Sequence, residues 1–387
     1  MKQAPSVQPC HPHPAPKRRR FALSSFALTA LLLVSTPDDL VACSFHTGFS
    51  GNTLSKQIAD SVEVVAMRPS TQNPFRFETV EQLKGIGSDS RPSHLVDSTT
   101  RHRLAQNSDH AVLFAQGRDG QWTRLMFLDE NRRRIAEEVL TKSTSWVTLS
   151  GNAEKRDYFA ALLSDPNTDI QQTALRELDA ISYEVLRNGT YPVTGQDLLS
   201  GINDMRSMAY APIRILLLGI VGDRDADTAI AQQLARLAAS GSTVNLGAWI
   251  TAAIENGGRE AVGELERKFL GSDNTLSRQQ LIEIVRALSV QSASNRLELG
   301  VALDSAVIRL VGRYPEAAPM IAQAFGTASD WSQINLVREL IAEDIFTSPS
   351  DLMVAASYLS RARERDNSRR HPLLRSSLSL AAQNSRP

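Results

Sequence analysis

The chain has 387 residues, 42% of them hydrophobic, which is enough to bury a sizeable core and to form two domains or one domain with a repeat array. Lysine plus arginine and aspartate plus glutamate balance at 42 each, and this argues against a protein dominated by nucleic-acid phosphates. The two cysteines, Cys10 and Cys43, exclude a disulfide framework, so the fold must rest on packing.

Residues 1–16 are proline-rich without a core-forming pattern. The cationic run Lys17-Arg18-Arg19-Arg20 precedes an apolar stretch from Phe21 to Val34, the form of a secretory signal. The stretch is short for a spanning helix, which needs about 20 apolar residues. Leu40-Val41-Ala42-Cys43 matches a bacterial lipobox, in which Cys43 is the lipidation site. Pro37-Asp38-Asp39 separates that box from the apolar run, and two acids sit badly in a membrane-embedded signal. Cleavage after Ala42 and soluble export to a periplasm is therefore the favoured reading, with an outer-membrane lipoprotein as the alternative. Membrane contact is expected only through the signal or a lipid on Cys43.

Residues 43–130 read as β-rich. Ser61–Met67 is β-branched, Phe75–Leu83 alternates, His94–Leu104 is a weaker third strand, and Ala111–Gln116 and Gln121–Leu128 flank the turn Gly117-Arg118-Asp119-Gly120. An Asp-Gly turn between apolar runs signals a hairpin. Ala42-Cys43-Ser44, Val62–Met67, Val80–Gly85 and Val112–Ala115 together resemble the OB-like barrel of the netrin/tissue-inhibitor type. That resemblance implies a small closed barrel. It departs from the family in lacking disulfides, so inhibitor activity is not carried over with the fold, though an envelope protease inhibitor stands as an alternative function. Cys43 and His46 have a Cys-x-x-His spacing, and His94, His102, His110, Asp97 and Asp109 follow in the same region. A metal site at Cys43 and His46, or a redox module built on them, is a second alternative; polar surface histidines are the plainer reading.

From residue 131 to 363 the apolar period is helical. Arg156–Ser164 and Thr168–Leu186 flank a break at Asp165-Pro166-Asn167, forming an αα-hairpin. Leu216–Leu234, Trp249–Leu265 and Ile282–Leu299 begin 33 residues apart, each with a polar turn at a matching offset. Further helices are expected near 317–324, 331–345 and 350–363, and the tail over 364–387, which lacks a sustained apolar period, is expected to be disordered. A two-helix unit repeating in the thirties marks an α-solenoid. The leucine-rich first helices and the turn Gly222-Asp223-Arg224-Asp225 resemble HEAT-type repeats. Asp223, Arg224, Asp225 and Asn256 read as turn formers and caps. Gly189–Met208 interrupts the array and reads either as a binding loop or as a linker.

The expected architecture is α+β, an N-terminal OB-like barrel followed by a HEAT-like α-solenoid. Ala42–His46, FRFETVEQLKG and RDYFAALLSDPNTDIQQTALREL together look like an exported HEAT-like repeat family of α-proteobacteria, and the resemblance implies architecture without an activity. The sequence carries no nucleotide-binding, zinc-protease or serine-hydrolase motif, and Asn188-Gly189-Thr190 reads as a chance sequon. The function expected from all this is a non-enzymatic cell-envelope scaffold without a cofactor, binding a partner protein on the concave face of its repeats.

Overall fold

The computed structural model describes residues 53–87, 92–146, 148–271 and 275–370. The stretch expected to be an export signal, Cys43, His46 and residues 371–387 of the expected tail lie outside them. Within them the chain is α+β, with four strands gathered near the start and fifteen helices.

A short helix, α1 (Leu54–Asp60), leads into β1 (Glu63–Pro69) and β2 (Phe77–Lys84); α2 (Ser98–Ala105) precedes β3 (Ala111–Gln116) and β4 (Trp122–Leu128). The strands form one antiparallel sheet in the order β2-β1-β3-β4, with Val65 of β1 opposite Phe114 of β3. The Asp-Gly hairpin forms as predicted: the Gly117 N–H donates to the Gln121 carbonyl at 2.9 Å, and Gly120 takes a φ of 76°. The central strands are apolar on both faces because both faces are covered. Val64, Ala66, Leu113 and Ala115 pack towards Ile58 of α1 and Ile135 and Val139 of the following helix. Val65, Met67, Val112 and Phe114 pack with Leu104 of α2 and Val96.

Two expectations fail here. Among the described residues the sheet is open, with β2 and β4 as its edges, and not a closed barrel. The segment that would have supplied another strand, His94–Leu104, makes a single bridge through Leu95 to Arg76 and then turns into α2. Asp97 decides this locally. Its carboxylate accepts from the Thr100 N–H at 2.7 Å, capping the helix.

The remaining helices are α3 (Glu130–Trp146), α4 (Leu149–Ala161), α5 (Thr168–Asp179), α6 (Tyr183–Arg187), α7 (Gly195–Ile202), α8 (Ala211–Val221), α9 (Arg224–Ser240), α10 (Leu246–Phe269), α11 (Arg278–Ala293), α12 (Gly300–Arg313), α13 (Ala318–Thr327), α14 (Ile334–Ala342) and α15 (Pro349–Arg370). The helix expected over 168–186 is split at Ala180–Ser182 into α5 and α6. Downstream the array is repeat-like: α8, α10, α11, α13 and α15 pack in series. The period has a physical basis at Gly219, where an added Cβ would sit 2.5 Å from the Cα of Ala252, 33 positions on. The turn expected within 249–265 is a kink inside α10, made by Gly258 at φ 57° and ψ −135°, a region open in practice to glycine alone.

One apolar core runs without a break from Leu54 to Tyr358. Its early part is pinned by Glu177 of α5, which is wholly buried. Glu177 accepts from the Ser55 N–H at 2.8 Å and from the Ser55 hydroxyl, and pairs with Lys155 of α4 at 2.7 Å. The first helix of the described chain is thereby tied to the helical array.

Candidate binding cleft

The segment expected to interrupt the array, 189–208, folds together with the next two residues as a compact arm over α8. Tyr191 is buried and donates to the Leu186 carbonyl at 2.7 Å. Thr194 and Asp197 close a capping box at the start of α7, the Asp197 N–H donating to the Thr194 hydroxyl oxygen at 3.2 Å and the Thr194 N–H to the Asp197 carboxylate at 2.9 Å. These bonds hold the Asp197 carboxyl below the usual carboxylate range. Asp223 caps α9 by accepting from the Ala226 N–H at 2.9 Å, and its other oxygen accepts from the Gly195 N–H at 2.7 Å. The arm is thus fastened to the helical array, and Asp223 has the capping role that its sequence context suggests. Arg224 opens α9, and Asp225 lies in its first turn. Asn256 donates to Asp227 across the same junction.

After α7 a 3₁₀ segment, Met205–Tyr210, is capped by Asp204, and Ser207 donates to the Gly201 carbonyl at 2.7 Å. Between this arm and α5 lies a cleft of about 410 Å³. Its walls include Gln171 and Leu175 of α5, Asp197 and Gly201 of α7, and Asp204; Arg214 of α8 lies among them.

Arg214 is the unusual group in this lining. The residue is 9% exposed, and its Nε is buried without a hydrogen-bond partner. Among the described residues no carboxylate closes an ion pair with it. Its guanidinium rests against Gly201, where an added Cβ would fall 2.3 Å from the Arg214 Cζ. Burial pulls its pKa below the ordinary arginine value, and the nearby charge of Asp204 opposes that pull. Other buried cations are matched: Arg132 pairs with Asp129 and Asp169, and Lys155 with Glu177.

A second cleft of about 320 Å³ lies on the far side of α7, lined by Gln196 and Asn203, by Gln232, Gln233 and Arg236 of α9, and by Trp249. Ser200 touches both clefts, so α7 forms the ridge between them.

The sequence-predicted site residues are not gathered here. Cys43 and His46 lie outside the described residues. His94 packs edge-on against Phe114, His110 against Phe127, and His102 meets Gln106 at 3.1 Å. Among the described residues no group of three or more metal-ligating side chains is assembled. Asp97 and Asp109 are committed to local bonds, Asp97 with Thr100 and Asp109 with Ser108. Arg214 was legible in principle as a lone cation inside Ile213–Leu218, an otherwise apolar run. No helix among the described residues is long and apolar enough to cross a membrane. Compared with protein-family models, curated proteins and solved structures, the chain matches none.

Proposed function

We propose that this chain is a non-enzymatic binding protein of the cell envelope, which holds a partner protein on its helical array and anchors a carboxylate of that partner on Arg214. The observation that carries this reading is the Arg214 guanidinium, buried in the cleft lining with its Nε lacking a hydrogen-bond partner and, among the described residues, no carboxylate close enough to form an ion pair with it. Leaving a buried cation unpaired costs several kcal/mol. A ligand carboxylate offsets that cost with two parallel charge-assisted hydrogen bonds, for which the planar guanidinium is shaped.

Two further features support it. The 33-residue period with its Gly219–Ala252 contact fits a HEAT-like α-solenoid, an architecture whose extended faces suit protein partners. The cleft is built from the segment that breaks the repeat, and such insertions commonly carry the binding function. The envelope location rests on the cationic and apolar run at 17–34, with Cys43 at or beside the mature N-terminus. Intact mass of the mature protein tests the location: cleavage after Ala42 without added mass fits soluble export, and a diacylglyceryl addition makes it a lipoprotein.

Site-specific crosslinking in the native envelope tests the binding role. A photoreactive side chain at Ser200, on the ridge between the clefts, should capture a polypeptide, and Arg214→Gln should abolish the capture. Capture that is unchanged by Arg214→Gln would remove the cleft from the function.

A further inference from the structure

The charges around Arg214 restrict what can neutralise it. Asp197 and Asp204 line the same cleft, so its lining holds one cation and two carboxylates, of which Asp204 is the one whose charge acts on Arg214. A phosphate or sulfate would add further negative charge among them, and a lone carboxylate would leave the acids uncompensated. The lining calls for a ligand that brings a carboxylate and a cation close together.

The hydrogen bonds show where each charge belongs. Asp197 is occupied, since its Oδ2 already accepts from both the Thr194 N–H and the Thr194 hydroxyl. Asp204 is less committed. Its Oδ1 accepts from the Arg206 N–H at 3.0 Å, while Oδ2 has only a long 3.4 Å contact from Ser207, whose hydroxyl makes its shorter bond to the Gly201 carbonyl. Asp204 therefore keeps acceptor capacity for an incoming donor, and its charge already acts on Arg214.

The size of the cleft and the segment beside it indicate the rest. Met205 and Met208 do not line the cleft, but they alternate with Asp204 and Ser207 along the 3₁₀ segment and are 85% and 59% exposed. Unbranched thioethers are adaptable contacts for a chain of variable sequence. A cleft of about 410 Å³ is at the small end for ligand sites, suited to one residue with its chain leaving over the rim.

We propose that the cleft receives the C-terminal residue of a partner polypeptide ending in lysine or arginine, with the terminal carboxylate on Arg214 and the side-chain cation at Asp204. This rests on the binding role of Arg214 argued above, and adds the identity of the group that is bound.

The test is fluorescence anisotropy on the purified full-length protein with N-terminally labelled pentapeptides. The probes end in lysine as the free acid, lysine as the amide, alanine and glutamate; free lysine and inorganic phosphate serve as competitors. The lysine acid should bind tightest. Amidation or Arg214→Gln should each weaken it by about tenfold or more, as expected for loss of a charge-assisted pair. Asp204→Asn should weaken the lysine peptide and leave the alanine peptide unchanged. Arg214→Lys, which keeps the charge without the planar fork, separates recognition from folding and should bind with intermediate affinity. If lysine, alanine and glutamate acids bind alike but Arg214→Gln abolishes all three, the carboxylate anchor stands and the basic-terminus proposal falls. Equal binding of acid and amide overturns both. Free lysine competing as well as the lysine peptide would make the ligand an amino acid, and phosphate competing best would make it a simple anion; either result overturns the proposal, as does binding of none of the probes.

Discussion

Glu177 and Lys155 show what a matched buried charge does in this protein, and what its loss would do. Each is at most 8% exposed, and Glu177 also receives both donors of Ser55. Glu177→Ala would leave Lys155 buried and unpaired, and should lower stability by about 3–5 kcal/mol in urea unfolding. Asp97 acts at the surface and through pH. Hydrogen bonds from the Thr100 hydroxyl and N–H, aided by Arg124, draw its pKa from 3.8 to about 2. A folded pKa below the unfolded one contributes stability that is present above about pH 4 and is lost as pH falls towards 2. NMR titration of the Asp97 carboxyl should show the low midpoint, and Asp97→Asn should flatten the acid limb of stability between those values. At Gly258 the constraint is purely conformational: an added Cβ meets nothing nearer than Leu299 Cδ2 at 4.0 Å, yet φ is 57°. Gly258→Ala should therefore cost about 1–3 kcal/mol through backbone strain, measured by thermal melting.

At the scale of elements, α7 depends on neighbours that its own eight residues cannot supply. Asp223 ties its first N–H to the start of α9, and Gly201 gives the Arg214 guanidinium its resting place. Gly201→Ala should push that flexible head group aside without unfolding the helix, so capture at the cleft should drop while the circular-dichroism melt stays close to that of the natural chain. A melt lowered as far as that of Glu177→Ala would instead make Gly201 a packing residue. The same scale shows what the sequence could convey. The α8–α11 stripes were legible because their apolar periods are long and each faces a neighbour, and the β3–β4 hairpin because its turn chemistry is local. Helix α2 was not, since Ser98-Thr99-Thr100-Arg101-His102-Arg103 carries little apolar period and folds on its Asp97 cap and on Leu104, buried under the sheet. The Arg214 cleft was half visible: the repeat interruption marked the arm, but the absence of a partner for one arginine is a fact of three dimensions.

Across the whole molecule, the unbroken core predicts that the sheet and the helical array unfold together. Tryptophan fluorescence, with reporters from Trp122 at the sheet to Trp331 between α13 and α14, should trace the same denaturant midpoint as far-ultraviolet circular dichroism. Two separated midpoints would show that the tie through Glu177 is too weak to couple them.

That tie also has a consequence in time. Ser55 and Glu177 are 122 positions apart, so α1 cannot complete its anchorage until α5 has been made. For a chain that emerges N-terminus first, the opening helix and the sheet behind it wait, partly uncovered, through the synthesis of more than a hundred residues. A contact of such long sequence separation slows folding and prolongs exposure of apolar strand surface. The early β-sheet of this protein is thus the stretch for which a holding chaperone would matter most.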